Sequence, residues 1–194
     1  MSEANAPRDP AATRRARRTL LLIAAVCIAP IVASYAAYYF FPRDAQVNYG
    51  TLLPTAPVPA IEGVRPDGAP FRLADLAGRW VVVANAGGAC DPACERMLYA
   101  TRQARTMQGR EADRVVRVWL VTDDAPPPAA LLAEHPGLVV ARVPADRVAR
   151  LPGGREAIVL VDPLGNLVLR YPIDPDIKGL GRDLGRLLRA SGIG

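Results

Sequence analysis

The sequence has no second long apolar run, no internal repeat and, beyond its first eighteen residues, almost no excess of one charge. The first absence excludes a polytopic membrane protein, and the second excludes an array of stacked repeats. The third bears on nucleic acid. Of the net +5, residues 1 to 18 hold +3, from Arg8, Arg14, Arg15, Arg17 and Arg18 against Glu3 and Asp9. The other residues share only +2, and a domain so nearly balanced as a whole is not expected to bind nucleic acid. Histidine is scarcer still, with His135 alone, and cysteine is limited to Cys27, Cys90 and Cys94. With 51% hydrophobic and 22% charged residues, the 194-residue chain is suited to one folded domain plus an appendage.

That appendage is N-terminal. Residues 19 to 41 carry no charge over 23 positions, and about 20 suffice for a helix to cross the hydrocarbon of a bilayer. Pro30 is tolerated in such a span. The arginines at 14, 15, 17 and 18 mark the cytoplasmic side, and Tyr35, Tyr38, Tyr39, Phe40 and Phe41 form an aromatic belt at the other end. The expectation is a basic cytoplasmic tail over 1 to 18, a single transmembrane helix over 19 to 41, and an exported, periplasmic C-terminal domain on a bacterial inner membrane. A cleaved signal peptide competes, because Ser34-Tyr35-Ala36 offers small residues at a cleavage point, but the apolar run continues well past it. Mitochondrial import fits less well, since the tail contains acids and little serine. Cys27 reads as lipid-facing packing.

Residues 42 to 60 contain Pro42, Pro54, Pro57 and Pro59 and read as an extended spacer, about 50 Å long at full stretch. From 61 to 194 strand and helix signals alternate. Pro66-Asp67-Gly68 is a turn between short strands, and residues 73 to 76 form another turn. Strands are predicted at 80 to 86, 115 to 122, 138 to 143, 157 to 161 and 167 to 171, and helices at 92 to 108, 128 to 134 and 176 to 190. Asp162-Pro163-Leu164-Gly165-Asn166 is a hairpin turn. Trp80 and Trp119 fall in strand patterns and read as core. This order implies an α/β fold of the thioredoxin-like kind, a mixed central sheet with helices on both faces.

Chemistry concentrates in Cys90-Asp91-Pro92-Ala93-Cys94, at the junction between the first buried strand and a helix that Asp91 caps and Pro92 opens. Cys94 falls in the first turn, where free N–H groups and the helix dipole favour a thiolate. Asp91 and Glu95 oppose that tendency. The spacing permits a disulfide. A purely structural bridge is one reading, although so short a loop restrains few residues. Redox exchange or metal binding is the other. Exposure at the loop makes Cys90 the first contact and Cys94 the resolving partner.

In this setting the motif resembles the Sco/SenC/PrrC family of thioredoxin-like proteins, which assist assembly of cytochrome c oxidase. The resemblance rests on the Asp67-Gly68 turn, Leu76-Ala77-Gly78-Arg79-Trp80, the cysteine motif, Val121-Thr122-Asp123-Asp124 and Val161-Asp162-Pro163-Leu164-Gly165. It implies that Cys90 and Cys94, with a distant histidine, bind copper destined for the oxidase, and that the same cysteines reduce the target's disulfide. The chain departs from that pattern. The histidine's place falls at about Gly153-Gly154-Arg155, where there is none. Two thiolates can hold soft Cu(I), whereas Cu(II) prefers nitrogen ligands and is expected to bind poorly.

His135, before Pro136-Gly137, reads as a surface or C-terminal capping residue at a helix end, or as the recruited third ligand. Pro152 is not assigned the place of the cis-proline that faces the cysteines in thioredoxins. The implied function is a membrane-anchored, Sco-like assembly factor, with oxidoreductase or metallochaperone chemistry toward a respiratory-oxidase subunit. The alternatives are a general thiol-disulfide oxidoreductase acting on other exported thiol proteins and an interaction protein without chemistry.

Overall fold

The computed structural model describes residues 10–40, 48–154 and 157–193. Phe41, residues 1 to 9 of the basic tail, the first six spacer positions and Arg155 carry expectations that lie wholly or partly outside them. The chain divides into two units, residues 1–46 and 47–194. Among its described residues the first contains one helix, α1 (Pro10–Phe40), which runs through Pro30 without a break. Within it Arg17–Ala37 is long and apolar enough to cross a membrane, and none of that window is buried in the protein.

The second unit is built on one eight-stranded sheet. Its elements in chain order are β1 (Thr51–Pro57), β2 (Glu62–Val64), β3 (Pro70–Arg72), β4 (Trp80–Ala86), α2 (Pro92–Thr106), β5 (Val115–Val121), α3 (Ala129–Glu134), β6 (Leu138–Arg142), α4 (Ala145–Val148), β7 (Ala157–Val161), β8 (Asn166–Pro172) and α5 (Ile177–Ala190). Short 3₁₀ turns occupy Leu73–Leu76 and Gly109–Arg114. The strand order is β1-β8-β7-β4-β5-β6-β2-β3. β4, β5 and β6 are parallel, whereas β7 and β8 run antiparallel beside β4. This is the thioredoxin-like mixed sheet expected from the element order.

Alternation along the central strands sorts the core into two layers. Trp80, Val82 and Ala84 of β4, with Val115 and Trp119 of β5, face α2 and α5, where Met97, Leu98, Leu180 and Leu184 cover them. Val81, Val83, Val116 and Val118 face the other way, onto Ile61, Phe71, Leu73, Val148 and Leu151. Both tryptophans are buried, as expected. Two-sided burial explains why β4 and β5 read as continuous β-branched runs.

One expectation needs correction. Residues 51 to 57, read as part of an extended spacer, form the edge strand β1, paired antiparallel with β8 through Thr51↔Arg170, Leu52↔Leu169 and Ala56↔Leu167. Pro54 and Pro57 concealed it, because proline lacks the ladder N–H, yet an edge strand needs that group on one side only. β3, at the opposite margin of the sheet, also opens on a proline, Pro70.

The stretch before β1 is held as well. The Gly50 N–H donates to the buried Asp183 carboxylate at 2.9 Å, and the Tyr171 hydroxyl reaches the same oxygen at 3.4 Å. The Tyr49 ring stacks on Tyr171 with centroids 6.0 Å apart, and fills a notch that any side chain at Gly179 would close, since a Cβ there would lie 2.5 Å from the ring.

Candidate functional site

β4 delivers the chain to the carboxyl edge of the parallel strands, and Gly87-Gly88 turn it toward α2. The two glycines are needed for close approach. A Cβ at Gly87 would lie 2.5 Å from an Asp123 oxygen, and one at Gly88 would lie 1.7 Å from the Ala125 carbonyl. In the space so left, Asp123 Oδ1 accepts from the N–H of Gly88 at 2.8 Å and from that of Ala125 at 3.2 Å. The loop before the cysteines is thereby tied to the segment after β5.

Asp91 caps α2, its Oδ1 accepting from the Cys94 N–H at 2.9 Å, and Pro92 stands at the first helical position, as the sequence predicts. Cys90 is the one non-glycine residue with positive φ among those described, at +50°. That left-handed backbone costs about 1–2 kcal/mol for an L-residue. Cys90 and Cys94 are joined in a disulfide with their Cα atoms 5.1 Å apart.

The expected exposure of Cys90 is corrected by the packing. Cys90 is 6% exposed and Cys94 2%, and both belong to the apolar layer beneath α2. Cys94 shares the inward face of α2 with Met97 and Leu98, three and four residues on, so the bridge draws Cys90 onto the same layer. With so little of either residue exposed, opening of the 87–91 loop would increase access to the sulfurs. Beside the site, a groove of about 410 Å³ begins at Glu95 and runs between α2 and α3, lined by Tyr99, Pro128, Leu131, Glu134 and His135.

The place of the histidine implied by the resemblance adjoins the end of β4. Asn85, fully buried, donates from Nδ2 to the carbonyls of Gly154 at 3.2 Å and Ala157 at 3.3 Å. Gly153 and Gly154 have φ of +95° and +60°, a turn that glycine adopts without strain and an imidazole-bearing residue would not. Among the described residues no peptide bond is cis, and Pro152 has no such role.

His135 is not brought to the cysteines. It caps the C-terminal end of α3, but as a buried residue, 4% exposed, rather than a surface one, with Nδ1 3.5 Å from Nη1 of the buried Arg117. Arg117 lies opposite Val82, four residues back from the Ala86 and Val121 pairing that closes the parallel ladder, or roughly 13 Å at about 3.3 Å per residue. Burial, with Arg102 and Arg117 nearby, lowers the His135 pKa and keeps the ring neutral, so it does not serve as a cation at the helix end. Burial also lowers Arg117, to about 10, so it stays charged at neutral pH, with Nη2 donating to the Pro136 carbonyl at 2.8 Å.

The donor set falls short of a three-ligand copper site. Two sulfurs are present, and among the described residues no group of three or more His, Cys, Asp or Glu side chains is placed to hold a metal. Sequence reasoning missed Asp123 and Asn85 as site-shaping residues. Asn85 was detectable as the one amide in an otherwise apolar strand, and Asp123 as an Asx turn two residues before Ala125.

Comparison with solved structures finds the same fold in copper-bound ScoI of Arabidopsis thaliana, 17% identical, covering 69% of this chain and 99% of that one with a TM-score of 0.57. Apo Sco1 of Thermus thermophilus is 22% identical, with coverage of 74% and 96% and a TM-score of 0.57. The thioredoxin domain of a thiol-disulfide oxidoreductase from Bacteroides vulgatus is 18% identical, with coverage of 70% and 99% and a TM-score of 0.51. No curated protein sequence matches. A family model described as the transmembrane-like, thioredoxin-like C-terminal domain matches residues 80–191, and its transmembrane-like N-terminal counterpart matches residues 10–40. Matched over both its apolar first helix and the main part of its sheet, the chain belongs to the transmembrane-like, thioredoxin-like family.

Proposed function

We propose that this protein is a membrane-anchored, Sco-like assembly factor for cytochrome c oxidase that works by thiol-disulfide exchange through Cys90 and Cys94. The domain stands on the periplasmic side of a bacterial inner membrane, with α1 as its single span and the arginine-rich tail in the cytoplasm. The observation that carries the reading is the disulfide at the β4–α2 junction, where a cysteine in left-handed backbone meets one in the first turn of a helix. Sharing the fold of copper-bound and apo Sco proteins supports it.

The exchange conserves electrons. With the pair reduced by an exported dithiol donor, the Cys90 thiolate attacks a target disulfide and releases one target thiolate. Cys94 then displaces the second, so one disulfide forms as another breaks and two electrons pass to the target. Cys94 is the resolving sulfur because it is the more deeply buried of the two. Cu(I) held by the reduced thiolates belongs to the same proposal as soft-ligand chemistry, and Cu(II) does not, for want of imidazole.

The test uses the full-length protein in nanodiscs, reduced, mixed with the oxidised oxidase subunit that carries the dinuclear copper centre, and followed by mass spectrometry of trapped thiols. Transfer is expected with the wild type and not with the Cys90→Ser, Cys94→Ser variant. Equal rates with unrelated exported disulfides favour the general oxidoreductase, a reading supported by the likeness to the Bacteroides vulgatus thioredoxin domain. Oxidase assembly that survives the double substitution favours the interaction protein, consistent with burial of both cysteines. Titration of the reduced protein with Cu(I) and Cu(II) in parallel tests the metal part.

A further inference from the structure

We propose that the solvent face of α5 is a docking surface for an anionic lipid bilayer. Lys178, Arg182, Arg186 and Arg189 follow one another at intervals of four, four and three. At 3.6 residues per turn they fall within about 80° of arc. Leu180, Leu184 and Leu188 occupy the buried side. The one acid in the helix, Asp183, is turned inward and holds the Gly50 N–H. Lys178, Arg182 and Arg189 are exposed, Arg186 is half-buried with Nη1 3.5 Å from Asn48 Oδ1, and among the described residues the three exposed cations have no ion pair. The acids nearest in sequence are engaged elsewhere: Asp174 pairs with Arg96, and Asp176 caps the helix by accepting from Gly179. Met107, 54% exposed, packs on Gly181 at the border of the stripe and offers an apolar side chain beside the charges.

The path of the chain identifies the occupant. Residues 48 to 50 lie along this helix, with Asn48 at Arg186, Tyr49 on Gly179 and Gly50 at Asp183. α1 ends at Phe40, and eight Cα steps to Asn48 reach at most about 29 Å at 3.6 Å each. With α1 as the span proposed above, a cationic stripe within that length of chain from the bilayer has headgroup phosphates as abundant anions in reach, and each basic side chain close to an anionic surface adds to the attraction. Docking there would set the orientation in which the cysteine loop meets a partner in the same bilayer.

The chain provides its own reporter, because its 2 tryptophans, Trp80 and Trp119, both lie in the domain. Energy transfer from them to dansyl-labelled lipid headgroups is measured for the full-length protein in nanodiscs of phosphatidylcholine alone or with phosphatidylglycerol. Transfer is expected to rise on the anionic discs and to return to the neutral level in about 0.5 M salt, where charges are screened beyond a few ångströms. The Lys178→Gln, Arg182→Gln, Arg189→Gln variant is expected to lose the rise. Equal transfer on both discs, or a rise insensitive to salt, overturns the proposal without reference to the variant, and an acidic protein surface then becomes the alternative occupant. Neither result depends on thiol exchange.

Discussion

Asp123 accepts a 2.8 Å hydrogen bond from the backbone N–H of Gly88, 35 residues earlier in the chain, and so fixes the approach to Cys90 from the segment that follows β5. Removing that carboxylate leaves two N–H groups, of Gly88 and Ala125, without their acceptor. Asp123→Ala is expected to cost about 1–2 kcal/mol in denaturant unfolding, discounted for solvent access. It is also expected to speed reduction of the Cys90–Cys94 bridge by dithiothreitol, since the loop opens more readily. An unchanged reduction rate would show that another element limits access.

The disulfide itself closes a short loop, with a sequence separation of 4. The loop-entropy relation gives about 2 kcal/mol for so few residues, and relief of the left-handed backbone at Cys90 offsets part of it. The Cys90→Ala, Cys94→Ala protein, which puts no hydroxyl into the apolar layer, should therefore unfold within about 2 kcal/mol of the oxidised wild type. A much larger loss in equilibrium unfolding would make the bridge chiefly structural.

His135 predicts a pH effect of definite sign. Its native pKa lies below the usual 6.5, from burial first and then from Arg102 and Arg117, with Glu134 opposing. The unfolded chain therefore takes up the proton first as pH falls. The contribution is complete above about 6.5 and is lost as pH drops from there toward the depressed native value. His135→Gln should flatten this part of the stability profile, read as the difference in urea midpoints between the two proteins from pH 7 to 5. Parallel profiles would mean that the ring titrates as it does in the unfolded chain.

Asp183 anchors the segment ahead of β1. Asp183→Ala deprives the Gly50 N–H and the Tyr171 hydroxyl of their acceptor in a buried place, at a cost of about 2–3 kcal/mol. Limited proteolysis should then cut near Tyr49 faster than in the wild type. Unaltered cutting would assign the anchoring to the stack of Tyr49 on Tyr171 instead.

What the sequence disclosed was mainly local. The Asp91 cap, the Pro92 start and the Asp162 hairpin turn depend on neighbours within a few positions, and the β-branched runs of β4 and β5 announce burial on both faces. The edge strand β1 was hidden because its stability comes from β8, more than a hundred residues away, while its prolines argue against a strand when taken alone. At the site, the cysteine pair could be placed from the strand and helix around it. Its burial could not, since that depends on how α2 settles on the sheet. The surroundings of His135 were equally hidden, because Arg117 reaches it across from β5 and inverts the charge argument made from the helix end.

The two margins of the sheet, β1 with Pro54 and Pro57 and β3 with Pro70, are interrupted where an added chain would seek donors. Each missing N–H weakens pairing at these edges, so edge-to-edge addition of a ninth strand, from another protein or from a second copy of this chain, is disfavoured. Under the proposed thiol exchange, a target protein would then be selected by side chains around the bridge and the neighbouring helices, by shape and charge rather than by backbone pairing.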